Sequence, residues 1–147
     1  MELAKLNKDA SKIMEAILAR IPKGEEAVKL DENEAYMPLC VERVDWWLED
    51  VLQALPSDIK EKFAVSFCHY GKCNGDAMRD PEVVFLCYKK DDSWRYVPAT
   101  YRQDWLGINH AYIFERDGRI VFDSRMQRSL KDFCNTWMQN LKYQQRL

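Results

Sequence analysis

KFAVSFCHY, residues 62–70, is where the period of this sequence changes from helical to extended. Phe63, Val65, Phe67 and His69 alternate with Ala64, Ser66, Cys68 and Tyr70, the two-residue repeat of a strand whose side chains point to opposite faces of a sheet. Residues 82–90, EVVFLCYKK, are apolar on both faces, as a covered central strand would be. The turn DDS leads into residues 94–100, WRYVPAT, where Pro98 lacks a ladder donor and argues for an edge position. GINHAYIFE and RIVFD flank Arg116-Asp117-Gly118, and Asp-Gly between such runs signals a hairpin. Roughly five strands joined by short turns favour an antiparallel sheet.

Helical spacing flanks these strands. In residues 8–21, Ile13, Met14, Ile17, Leu18 and Ile21 form one stripe, and Pro22 and Gly24 stop it. Residues 22–36 are acidic and aperiodic and read as a linker or exposed loop. Cys40, Val44, Trp47, Leu48, Val51, Leu52 and Leu55 recur at intervals of three and four, which predicts a second helix ended by Pro56, although PLCVERV can also open as a strand. A last helix is expected over about residues 126–144, capped by Asp123 or Ser124. The expected fold class is α+β, with helices packed on one face of the sheet, two of them N-terminal and one C-terminal. Residues 1–35 read as an N-terminal helix with an acidic linker, and 36–147 as a single α+β domain.

A chain of 147 residues suits one domain, and 47% apolar with 31% charged residues is a globular balance rather than a disordered one. A net charge of −2 predicts no general attraction to nucleic acid or anionic lipid. The opening MELAKLNKDASK lacks the apolar core of a secretory signal, and the longest apolar run, VVFLCY, is far shorter than a membrane span. Five cysteines at 40, 68, 73, 87 and 134 suit reduced thiols better than a disulfide framework. A cytoplasmic protein with no membrane partner and no cofactor is expected.

HYGKCNGDAMRDPE, residues 69–82, concentrates the polar chemistry. As a structural corner, Asn74-Gly75 suits positive φ, Asp76 bonds to nearby amides, and Asp80 before Pro81 opens a turn. As a metal or hydrolytic site, His69, Asp76, Asp80 and Glu82 are nitrogen and oxygen ligands able to activate water. A nuclease of the Asp…Glu-x-Lys type is broken here, because Cys87 and Tyr88 stand two residues before Lys89 and Lys90. Zinc is disfavoured because strand neighbours Cys68 and His69 point to opposite faces. His69 and His110 both read as hydrogen-bonded residues at the edge of a core.

The same stretch, with YRQDWLG and FCNTWMQNLK, resembles a bacterial domain family of unknown function from plasmids, conjugative elements and phages. The signature is His-Tyr…Asn-Gly-Asp-x-Met-x-Asp-Pro-Glu, matched by His69, Tyr70, Asn74, Gly75, Asp76, Met78, Asp80, Pro81 and Glu82. The resemblance covers about residues 36–143 and leaves helix one outside; Gly71 to Cys73 and DWWLEDVLQALPSDIKEK depart from it. It implies an accessory gene of a mobile element and supplies no reaction.

Within YRQDWLG, Tyr101, Arg102, Asp104 and Trp105 have the make-up of an interface anchor, with a Trp folded onto the core end as the alternative. Trp94, Tyr96, Tyr101 and Tyr112, with Lys89, Lys90, Arg95 and Arg102, can be read as a platform for stacking single-stranded bases or as core. The leading expectation is a small non-catalytic protein that presents the 71–82 and 101–107 segments to a macromolecular partner, such as a host-defence or replication protein. A metal-dependent hydrolase or nuclease, and single-stranded nucleic-acid binding, are the two alternatives.

Overall fold

The computed structural model describes residues 2–73 and 75–147, residues 72 and 73 by their backbone alone. At its centre is a six-stranded antiparallel meander in chain order: β1 (Ala27–Leu30), β2 (Leu39–Arg43), β3 (Lys62–Cys73), β4 (Asp76–Lys90), β5 (Ser93–Gln103) and β6 (Ile108–Ala111). A separate ribbon pairs β7 (Ile113–Arg116) with β8 (Arg119–Phe122). Three α-helices are described, α1 (Lys8–Leu18), α2 (Glu49–Ala54) and α3 (Ser124–Gln144). The fold is α+β, with a main sheet one strand wider than expected and a second small sheet.

The meander is covered on both faces, not one. Phe67, Val83, Phe85 and Cys87 pack with Ile13, Met14 and Ile17 of α1 and with Cys134, Met138 and Leu141 of α3. On the other face Ala64, Val84, Leu86 and Val97 pack with Val51 and Leu52 of α2 and Ile113 of β7. A strand that is apolar on both sides needs a cover on each, since every large side chain left wet forfeits roughly 1.5–3 kcal/mol.

The second helix is corrected to a strand followed by a short helical turn. Leu39 and Val41 are fully buried and pair into the sheet from Leu39↔His69 to Arg43↔Val65. The Asp45 carboxylate ends that pairing: it accepts from the Ala64 amide at 2.9 Å and from Arg43 Nη2 at 3.0 Å. A 3₁₀ turn (Asp45–Leu48) and the six-residue α2 follow. Val44, Leu48, Val51, Leu52 and Leu55 do share one apolar face, buried in the second core, but Cys40 belongs to β2. Residues 27–30, read as part of a loop, form β1; Val28 and Leu30 face the first core and alternate with exposed Ala27 and Lys29, too short a repeat to stand out in the sequence.

Elsewhere local chemistry explains the ends of elements. Asp117 (φ 53) and Gly118 (φ 75) both sit in the left-handed region, the turn that matches the twist of a two-residue hairpin. Asp123 caps α3, its Oδ1 accepting from the Met126 amide at 3.1 Å. GINHAYIFE is split between two sheets, Ile108–Ala111 in the meander and Ile113–Arg116 in the ribbon. Pro98 stands at a register shift opposite Phe85, where β6 has not yet begun, whereas Thr100 to Arg102 pair on both sides. Thus β5 is an edge strand over only part of its length.

The N-terminal segment is tied to this core. Gln127, fully buried on α3, donates from Nε2 to Ala4 O at 2.7 Å and Pro98 O at 3.1 Å, while its Oε1 accepts from the Ala4 amide at 2.7 Å. The Leu6 amide donates to Tyr96 O at 2.9 Å.

Candidate functional site

β2 stops pairing at His69 and β5 at Glu82, so residues 70–79 run on as a two-stranded ribbon past both neighbours. The segment expected to be a loop is therefore a hairpin. Cys73 pairs with Asp76, and Gly75 has φ 86, a conformation that glycine adopts without a Cβ penalty. Asn74 lies outside the described residues. Asp80-Pro81 is not a turn opener: the register shifts between Cys68↔Glu82 and Tyr70↔Arg79, leaving Asp80 and Pro81 against His69 as a β-bulge. Proline has no N–H to lose there.

The bulge turns the tip toward the segment after β5. Asp104, in a 3₁₀ turn (Asp104–Leu106), accepts at Oδ2 from the Arg79 amide at 2.8 Å and from Arg79 Nε at 3.2 Å. These bonds, the backbone amide first, hold the Asp104 carboxyl below the usual aspartate range. Asp80 Oδ1 accepts from Gln103 Nε2 at 2.9 Å, and Gln103 Oε1 accepts from the Tyr101 hydroxyl at 2.8 Å. A Cβ placed on Gly71 would lie 3.9 Å from both Asp80 Oδ2 and Trp105 Nε1, so the indole rests over that glycine. Two segments separated by twenty residues or more in sequence thus form one surface. On it Trp105 is 53% and Leu106 67% exposed, while Tyr70, 43% exposed, points to the Cys68 and Glu82 side of the ribbon. Asp76 and Gly75 are exposed, and Met78, paired with Gly71, is half-buried.

The four candidate ligands do not converge. His69 is buried, donates from Nδ1 to Pro38 O at 3.0 Å, and meets Trp137 of α3 edge-on at 5.6 Å. Burial pushes its pKa down, with the Pro38 bond opposing. Glu82 lies on the opposite face, where Oε2 accepts from Ser66 Oγ at 3.0 Å. Among the described residues no three His, Cys, Asp or Glu side chains are grouped to hold a metal ion. Cys68 shares the Glu82 side of the sheet; burial, and then the Glu82 charge, push its thiol up to about 12, which leaves it a poor nucleophile. Cys40, Cys68, Cys87 and Cys134 are all free thiols. His110, expected at a core edge, is exposed and stacks on Tyr112 at 5.7 Å.

The aromatic residues of the proposed stacking platform do share a face, but the first core occupies it. Tyr96 is buried there, Trp94, Tyr101 and Tyr112 pack against it, and Tyr101 meets Phe133 of α3 at 5.8 Å. Arg102, the next residue in the strand, points the other way. There Glu82, Arg102, Thr100, Asn109 and Trp47 line an open cleft of about 360 Å³. Trp47, read as part of the apolar stripe of the second helix, is instead 47% exposed, and Ser66, Gln103 and Asn109 were given no site role in the sequence. Gln103 alone carried a signal, since it stands two residues from Tyr101 on the same strand face.

Residues 8–147 match the family described as a domain of unknown function, DUF6908. The chain belongs to the DUF6908 family. The match begins at residue 8, so α1 lies inside the family region rather than outside it. No curated protein and no solved structure matches this DUF6908 domain. None of its described helices is long and apolar enough to cross a membrane.

Proposed function

We propose that this DUF6908 domain is a non-catalytic binding module that grips a protein partner with the free end of the β3–β4 hairpin and the 104–106 turn. The observation that carries this reading is the joining of the two segments: Arg79–Asp104 and Asp80–Gln103 fix a backbone that displays Trp105 and Leu106 to solvent. Tryptophan, tyrosine and arginine dominate interface energetics, and an anchor held in place before binding loses little entropy on docking. The resemblance of His69–Glu82 to domains of plasmids, conjugative elements and phages supports reading the module as an accessory protein of a bacterial mobile element. Its partner is then a host-defence, replication or conjugation protein in the cytoplasm.

Affinity capture from the native host tests this with the wild type, a Trp105→Ala/Leu106→Ser variant, Asp76→Ala, and a Tyr143→Ser control on the exposed end of α3. A stoichiometric partner should be held by wild type and control and lost by the tip variants. Equal capture by all four, at equal melting temperature, would reject the reading.

A further inference from the structure

The Glu82 carboxylate is only 2% exposed, yet Oε1 has no hydrogen-bond partner. Arg102 Nη1 approaches it to 3.9 Å, beyond hydrogen-bonding distance. Arg102 is not free to close that gap by swinging, because its Nε donates to Asn109 Oδ1 at 3.0 Å across the β5–β6 pair. A buried carboxylate oxygen without a donor is costly and is seldom retained without a use. Glu82 is one of the residues lining the 360 Å³ cleft, a volume within the range of about 300–1,000 Å³ typical of small-molecule sites.

The lining specifies the ligand. Glu82 and Arg102 carry opposite charges, so their sum favours a neutral molecule over an ion. Glu82 Oε1 accepts and needs a donor, Arg102 Nη1 donates, and the two atoms stand 3.9 Å apart. A ligand that meets both must carry an N–H donor next to a carbonyl or ring-nitrogen acceptor on one edge. Trp47, 47% exposed, contributes a flat aromatic wall, which suits a planar ring. We propose that the cleft between Trp47, Glu82 and Arg102 binds the donor–acceptor edge of a planar, neutral heterocycle of the nucleobase class, either a free nucleoside or a base on a strand. Trp105 and Leu106 do not line this cleft, and the proposal does not depend on the partner-binding reading.

The test titrates the intact chain with adenosine, guanosine, cytidine and uridine separately, and with a short homo-oligonucleotide of each base, by calorimetry and tryptophan fluorescence. The expected result is saturable one-to-one binding of at least one nucleoside. Trp47→Ala, Glu82→Gln and Arg102→Ala should each weaken it roughly tenfold or more, as removal of a stacking or base-edge contact does. Binding of oligonucleotides alone, with the same loss in the variants, supports the same base-edge chemistry with the base supplied on a strand. No binding of either kind, or binding unchanged in all three variants, overturns the proposal. Should Glu82→Gln or Arg102→Ala fail to fold, Trp47→Ala decides, since its half-exposed ring can be removed without opening the core. The Trp105→Ala/Leu106→Ser variant should bind nucleosides as the wild type does.

Discussion

The β3–β4 hairpin has two ends that differ in almost every physical respect. At its root, Val83 to Cys87 lie between two cores and are at most 3% exposed. At its tip, residues 70–79 have left both neighbouring strands, and their outer contacts are polar: Arg79 to Asp104, and beside them Asp80 to Gln103. The root is held by area and packing, the tip by a few oriented hydrogen bonds. One ribbon can therefore anchor a fold at one end and display side chains at the other, and changes at the two ends should separate stability from binding.

The largest effect is expected at the root. Phe85→Ala removes a fully buried ring that meets Phe67 at 5.3 Å, and should cost about 3–5 kcal/mol in urea unfolding. Gln127→Ala comes next, at about 2–3 kcal/mol, because it strands the Ala4 and Pro98 backbone groups as well as losing its own bonds. It should also raise hydrogen exchange in residues 2–7, which Phe85→Ala at equal global destabilisation should not do selectively.

His69 marks the border between root and tip and makes it sensitive to acid. Its folded pKa is depressed by burial, so below the unfolded value of about 6.5 the unfolded chain takes up a proton that the folded chain refuses. Stability should thus be full above that value and fall as the pH drops from 6.5 toward the folded pKa. Urea midpoints at pH 7.5 and 5.5 should show the decline, and His69→Phe should flatten it.

The tip should respond least in stability. Asp104→Ala breaks two partly exposed bonds to Arg79 and should cost about 1 kcal/mol, with faster exchange at the Arg79 amide. Trp105→Ala should stay within about 0.5 kcal/mol of wild type while removing partner capture. A loss of 3 kcal/mol or more at Trp105 (roughly the size of a core deletion) would erase the contrast between the two ends.

Some of this was legible in local pattern. Alternation in KFAVSFCHY, Asp-Gly at 117–118 and the three-four spacing after Asp123 each depend on neighbours in the chain, and each gave the element seen. β1 was missed because its inward face is only Val28 and Leu30, two residues inside an acidic stretch, and it is the pairing with β2 that extends them. The second helix was overextended because an apolar stripe through α2 continued by coincidence into β2. Asp80-Pro81 looked like a turn because the signal for a bulge is the register of the opposite strand, which one segment does not contain.

By itself the sequence determined an α+β chain with a covered central strand, the segments 69–82 and 101–107 as its polar focus, and His69 at the end of an apolar strand face. Tertiary structure alone decided that those segments meet through Arg79 and Asp104, that His69 and Glu82 part to opposite faces, and that Glu82 shares a cleft with Arg102 and Trp47. The reason is range. Periodicity and turn chemistry act within a few residues, whereas which side chains face one another across a sheet is set by strand register, and a single bulged residue shifts it.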